Sequence, residues 1–169
     1  WDRRHVDVAT GTGPVTVNTG GTLDGTGFVT GDITVKAGGM LTGTLKAGSN
    51  SKRVTIENFG NITPAGVGTA GTITVPGGEL VLNNYSNIYF DLSGARDLID
   101  VTGNLTLDGV LIVNPTGFPG AGTYLLMKGS SITDRGLVAQ LPSGWGYSVV
   151  VDSVPNPDEV RLVVGTPKT

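Results

Sequence analysis

Val15-Thr16-Val17-Asn18-Thr19-Gly20-Gly21-Thr22-Leu23-Asp24-Gly25-Thr26-Gly27-Phe28-Val29-Thr30-Gly31-Asp32 is followed at once by Ile33-Thr34-Val35-Lys36-Ala37-Gly38-Gly39-Met40-Leu41. A β-branched/Thr/β-branched triplet, a glycine pair and a return to apolar residues are said twice in succession. A looser copy opens at Val54-Thr55-Ile56 and another at Ile73-Thr74-Val75-Pro76-Gly77-Gly78, so that the openings fall 18, 21 and 19 residues apart. Repetition at this period marks a solenoid, in which one coil cannot bury its apolar face but stacked coils make a continuous core. Val15/Val17, Ile33/Val35, Val54/Ile56 and Ile73/Val75 are expected to point inward, with Thr16, Thr34, Thr55 and Thr74 forming an outer ladder. The glycine pairs Gly20-Gly21, Gly38-Gly39 and Gly77-Gly78 mark corners that need positive φ. About three short strands per coil, such as Val15–Val17, Thr22–Leu23 and Phe28–Val29, suit a three-sided parallel β-helix.

Composition agrees. The chain has 169 residues, 28 of them glycine, and only 15% are charged, while helix-forming runs are absent; this is an all-β profile. The net charge of −3 and pI near 4.9, with eleven scattered Lys and Arg, disfavour nucleic-acid binding. No apolar run reaches the length of a membrane-spanning helix, so no membrane insertion by this chain is expected. Neither disulfides nor thiolate metal sites are open to a chain without cysteine. No signal peptide is recognised, and a start at Trp1 suggests processing from something longer.

The organisation expected is a lead-in strand over residues 1–14, solenoid repeats over 15–82, and wider final coils with a C-terminal β cap or sandwich-like end over 83–169. The third coil replaces the glycine pair by Phe59-Gly60-Asn61, and Lys46 to Arg53 reads as an exposed loop. Longer strands are expected at Asp97–Val101, Asn104–Leu107, Val110–Val113, Tyr124–Met127, Tyr147–Val151 and Val160–Val164. Pro155 and Pro157 should bend the chain before the last of these. The best helical candidate is Ser93 to Leu98.

These residues resemble the passenger-associated repeat of bacterial autotransporters. The likeness is carried by Val15 to Gly27 and by Val29-Thr30-Gly31-Asp32-Ile33-Thr34-Val35-Lys36-Ala37-Gly38-Gly39. Asp97-Leu98-Ile99-Asp100-Val101-Thr102-Gly103-Asn104-Leu105-Thr106-Leu107-Asp108-Gly109, Gly122-Thr123-Tyr124-Leu125-Leu126 and Leu141-Pro142-Ser143-Gly144-Trp145 are similar to the segment that ends such passengers. The resemblance runs over roughly Val15 to Val164 and implies a right-handed β-solenoid, delivery to the cell surface or beyond, and adhesion or scaffolding more often than catalysis. The family's membrane barrel and its usual long stalk are missing from this sequence.

Candidate chemistry is sparse. His5 is the only histidine; it shares a strand face with Asp7, and no Gly-x-Ser-x-Gly serine accompanies it. Asp97 and Asp100, with Asp91 upstream and Arg96 adjacent, are the densest acidic group. Glycoside hydrolysis needs two carboxyls on one groove, whereas positions three apart in a strand face opposite sides. Gly20-Gly21-Thr22-Leu23-Asp24-Gly25 approximates a calcium β-roll loop without repeating it, and Asp24 and Thr42 share one offset in successive coils. Asn61-Ile62-Thr63, Asn84-Tyr85-Ser86 and Asn104-Leu105-Thr106 match glycosylation acceptors. Trp1, Phe28, Phe59, Tyr85, Tyr89, Trp145 and Tyr147 are candidates for a sugar platform, Trp145 and Tyr147 sharing a face if they lie on one strand.

The expectation is a non-catalytic extracellular structural module with no catalytic residue, cofactor or metal. It would serve as a surface adhesin or scaffold, or as a filament subunit. Its partners would be other copies of itself, through head-to-tail stacking or donation of a strand such as Arg4 to Ala9, or a host or polysaccharide surface. The alternative is a carbohydrate-binding module or polysaccharide-active enzyme on the same scaffold.

Overall fold

A computed structural model describes residues 3–6, 11–49, 51–114, 118–153 and 157–167, residues 3–6 by their backbone alone. Strand β1 (Arg3–Val6) precedes the first full coil, which is β2 (Val15–Val17), β3 (Thr22–Gly25) and β4 (Phe28–Val29). The second coil is β5 (Ile33–Val35), β6 (Met40–Gly43) and β7 (Lys46–Ala47), and the third is β8 (Arg53–Ile56), β9 (Asn61–Pro64) and β10 (Thr72–Val75). The fourth is β11 (Glu79–Leu82), β12 (Asn87–Phe90) and β13 (Leu98–Val101); the fifth is β14 (Asn104–Leu107), β15 (Val110–Val113) and β16 (Gly122–Gly129). The last turn comprises β17 (Ser131–Asp134), β18 (Val138–Gln140) and β19 (Tyr147–Asp152), and β20 (Asp158–Val164) follows.

Each coil gives one strand to each of three sheets. Sheet I runs β1-β3-β6-β9-β12-β15-β18, sheet II runs β2-β5-β8-β11-β14-β17, and sheet III runs β4-β7-β10-β13-β16-β20-β19. Every pairing is parallel except those of β20, which is antiparallel to both β16 and β19. The protein is a three-sided parallel β-solenoid, as the triplets and corner glycines predict, and no helix occurs among the described residues. Parallel neighbours put identical positions one above another, so an inward aliphatic residue is inward in every coil. Val15, Ile33, Val54, Leu80, Leu105 and Ile132 form one such column in sheet II. Beside it, Thr16, Thr34, Thr55, Val81, Thr106 and Thr133 stack on the outside. Ile33, Val54 and Leu80 are fully buried, as are Leu41, Ile62 and Ile88 of sheet I and Ile73 and Ile99 of sheet III. Each such side chain contributes about 1.5–3 kcal/mol of transfer free energy, set against the ordering of the chain around it.

Ile73-Thr74-Val75 is not a fourth copy of the sheet II strand. It is β10 of sheet III, paired with Lys46 of β7 on one side and with β13 on the other. The strand that stacks on Val54-Thr55-Ile56 is Leu80-Val81-Leu82. Residues 65–71 insert a longer connection between β9 and β10, which lengthens the third coil and delays the return to sheet II. Gly77, with φ of 71°, therefore turns the chain from sheet III to sheet II, whereas Gly20 and Gly38 turn it from sheet II to sheet I. The start of the Lys46–Arg53 stretch is not an exposed loop: Lys46–Ala47 is a strand, and Ala47 and Gly48 are buried. Ser93 to Leu98 is a connection leading into β13 instead of a helix: the Asp97 amide donates to the Asp91 carbonyl at 3.0 Å and the Leu98 amide to the Gly71 carbonyl of the coil below at 3.0 Å.

At the C-terminal end β20 wedges between β16 and β19. Val160, Leu162 and Val164 are buried on its inner face, and a bulge between Leu125 and Met127 adjusts the register of β16. Trp145 packs edge-on against Phe118, with ring centroids 5.2 Å apart, beside the Tyr124 ring whose hydroxyl donates to the Gly120 carbonyl at 2.8 Å. The end is thus a cap made by extending sheet III in antiparallel fashion, which covers the inner face of the last coil. Pro155 lies outside the described residues.

Candidate functional site

Asp91 and Asp97 are the buried charges of the described core, 5% and 1% exposed. The Asp97 carboxylate accepts from the Gly71 amide at 2.9 Å and from the Asp91 amide at 2.7 Å. Asp91 accepts from the Gly68 amide at 2.6 Å and from the Asn114 side-chain amide. Two carboxylates thereby tie together the sheet I–sheet III connections of the third, fourth and fifth coils. Buried backbone donors need partners, and these loops have no ladder to supply them. Burial pushes the Asp97 carboxyl up to about 7; the amides of Asp91 and Gly71 pull it down and the Asp91 carboxylate adds to the rise.

Asp100 lies on β13 with an outward, half-buried side chain, in register with Thr74 and Lys128. Asp97 and Asp100 are therefore not brought together, and neither of Asp97's oxygens is turned to a groove. Arg96 lies over the Tyr124 ring, 5.1 Å from its centroid, instead of joining the acids. The Asp97 titration carries a prediction. Between about pH 4 and 7 the folded protein holds a proton on this group that the unfolded chain has released, so its contribution to stability falls as pH rises through that window. Asp97→Asn turns an NH2 toward one of the two backbone donors and is expected to melt lower throughout. The gap in melting temperature between native and variant should widen from pH 7.5 to pH 5; a gap that does not change with pH would refute the assignment.

The other candidates scatter. The His5 and Asp7 side chains lie outside the described residues, as does Trp1. Gly20-Gly21 forms a corner and Asp24 sits in β3, so that stretch is corner and strand instead of a ligand loop. Among the described residues no group of three or more His, Cys, Asp or Glu is placed to hold a metal ion. Thr63 and Ser86, the hydroxyl positions of two glycosylation motifs, are buried. Trp145 and Tyr147 do not form a common platform, since Trp145 is packed on Phe118 and the Tyr147 hydroxyl accepts from the Ala139 amide at 3.1 Å.

On the outside of sheet II, a shallow groove of about 420 Å3 is lined by Asp32, Thr34, Ser51, Arg53, Thr55 and Glu79. Its charges engage one another across coils: Asp32 accepts from the Arg53 amide at 2.8 Å and the Arg53 guanidinium donates to Glu79. Lys36 and Glu57 pair at 2.8 Å on the same face. Exposed pairs of this kind add little stability.

Two aromatic residues stand out instead. At the turn from sheet II to sheet I, Gly20, Gly38, Phe59 and Tyr85 occupy one position in four successive coils, with φ of 76°, 72°, 62° and 59°. Their backbones form a ladder: Gly20 donates to the Gly38 carbonyl at 3.1 Å, Gly38 to Phe59 at 2.8 Å and Phe59 to Tyr85 at 3.1 Å. The Phe59 and Tyr85 rings are stacked, 5.5 Å apart and 6° from parallel, and are 58% and 55% exposed. Sequence reasoning named both rings without pairing them. The signal is the offset of three from Ile56 and from Leu82, masked in the sequence because Ile73-Thr74-Val75 mimics the triplet that Leu80-Val81-Leu82 replaces.

No protein-family model matches the chain. It is 43% identical over 88 residues to the Adhesin BmaC autotransporter of Brucella suis biovar 1 (strain 1330), a match covering 46% of this chain and 2% of that protein. This chain is similar to an autotransporter passenger. The passenger-like solenoid spans about 2% of the length of the adhesin it matches. Among the described residues no helix is long and apolar enough to cross a membrane.

Proposed function

We propose that the chain is a surface-displayed, adhesin-like structural module of an autotransporter passenger, without catalytic function. The observation that carries this reading is the likeness to an autotransporter adhesin, borne by a chain whose strands β1 to β18 stack in parallel beneath an antiparallel cap. The outer residues of such a stack can vary without disturbing the buried columns, which suits presentation of a surface to a host or polysaccharide. Antibodies raised to the purified chain are expected to label intact, unpermeabilised cells that carry the whole gene, and loss of the gene to reduce attachment to host cells. Labelling only after permeabilisation would overturn the reading.

The finer form is self-association by head-to-tail stacking. Strands β2 and β4 end sheets II and III at the N-terminal side among the described residues, and an open edge can accept a strand. Strand donation has less in its favour, because β1 is already paired with β3 of its own chain. Mass that grows with concentration in light scattering is the expected result for stacking, and monomers at every concentration would exclude it.

A further inference from the structure

The Phe59–Tyr85 stack sits in a conformation that the first two coils reserve for glycine. Left-handed backbone is costly for a bulky residue, and here two adjacent coils bear that cost. One stacked ring pair returns less than two such penalties together. Burial does not make up the difference, since each of the two residues is more than half exposed. Gly20 and Gly38 show that the same corner, with the same backbone ladder, forms without any side chain. The rings are therefore surplus to the fold.

We propose that the Phe59–Tyr85 stack is a binding surface for the pyranose ring of a neutral glycan. Three observations select this ligand. No ring or other side chain stands at the same corner position on either side of the stack. Phe59 is followed toward the N-terminus by Gly38, and beyond Tyr85 the next corner, Leu107-Asp108-Gly109-Val110, is two residues shorter and lacks the protruding position. The positions immediately before the rings carry exposed amides, Asn58 and Asn84, while Asn61 and Asn87 two residues later are tied into the coil stack, Asn87 donating to Asn61 at 3.1 Å and Asn61 to the Gly39 carbonyl at 2.9 Å. The charges of the same segment, Lys36 and Glu57, neutralise one another. A pyranose offers an apolar C–H face to a ring and a rim of hydroxyls to amides, and it asks for no cation. Two rings among amides fall far short of the roughly 800 Å2 per partner of a stable protein interface. This inference goes beyond the surface-adhesin reading, and either can fail while the other holds, because it is tested on the purified chain without cells.

The experiment uses an array of neutral oligosaccharides printed beside sialylated and sulfated ones. The purified chain is expected to be retained by neutral members. Titration with the best-retained neutral oligosaccharide should move the ring-proton resonances of Phe59 and Tyr85 in the native protein. Phe59→Gly with Tyr85→Gly, which installs the residue of the first two coils, should keep the melting temperature and weaken retention roughly tenfold or more. The proposal is overturned if no neutral glycan is retained, if only charged glycans are, if the ring resonances stay still, or if the double variant binds as the native chain does. Should the variant fail to fold, the resonance titration on the native protein decides.

Discussion

Gly103→Ala is expected to cost about 3 kcal/mol or more and to lower the melting temperature by roughly 6–12 °C for a chain of this size. The reason is a backbone approach instead of a special torsion. A methyl group on Gly103 would lie 1.8 Å from the Gly78 carbonyl oxygen, and one on Gly78 would lie 2.2 Å from that of Lys52. These residues stand one above another where sheet III turns into sheet II, so coils at this corner are separated by no more than bare backbone. The clash cannot be relieved by a side-chain rotation. It requires two coils to part, which strains the ladder bond from the Thr102 amide to the Val75 carbonyl at 3.0 Å as well. Gly13→Ala is the control: its added methyl meets nothing within 4 Å, and its melting temperature should stay within about 2 °C of native. A Gly103→Ala protein that melts with the control would show that the coils are looser at this corner than the carbonyl contact allows.

The same corner explains what could be read from the chain before its structure was known. Strand-forming triplets followed by glycine are local signals, and they identify a solenoid wherever they recur. They do not say which corner a given triplet precedes, because both the sheet II–sheet I and the sheet III–sheet II turns ask for a short strand and then a tight bend. Val15, Ile33 and Val54 share one column at the spacing the sequence predicts because their coils are short. Ile73 departs from it because its place depends on how many residues the 65–71 connection consumes, a quantity set by contacts in the next coil. Gly68 and Gly71 donate to Asp91 and Asp97, acids that follow by more than 20 residues. For the same reason the densest acidic cluster was legible as a cluster and not as a fastening for loops. Its role depends on which amides lack partners, and amides are absent from any reading of side chains. The aromatic stack was half legible: Phe59 visibly replaced a glycine, but Tyr85 could be matched to it only once Leu80-Val81-Leu82 was known to be the sheet II strand.

Leu162→Asp should be the most damaging change in the cap, at about 4 kcal/mol or more. Leu162 is fully buried in the strand that separates β16 from β19, in register with Tyr124 on one side and Val149 on the other. A carboxylate there has no donor arranged for it, and the strand can hydrate it only by leaving the sheet. When β20 leaves, β19 loses its partner and the long edge of β16 is uncovered over Gly122–Gly129. Amide exchange should therefore accelerate first in 122–129 and 147–164 while the coils from β5 to β12 stay protected, a hierarchy that follows from nearest-neighbour stability in a stack. The uncovered edge should also raise the apparent mass in light scattering with concentration. Val163→Asp places the same charge one residue along on the opposite, 36% exposed face and is expected to change stability by less than about 0.5 kcal/mol. If the two variants melt together, β20 does not close the core, and the solenoid must be sealed by the Trp145–Phe118 contact and the last coil alone.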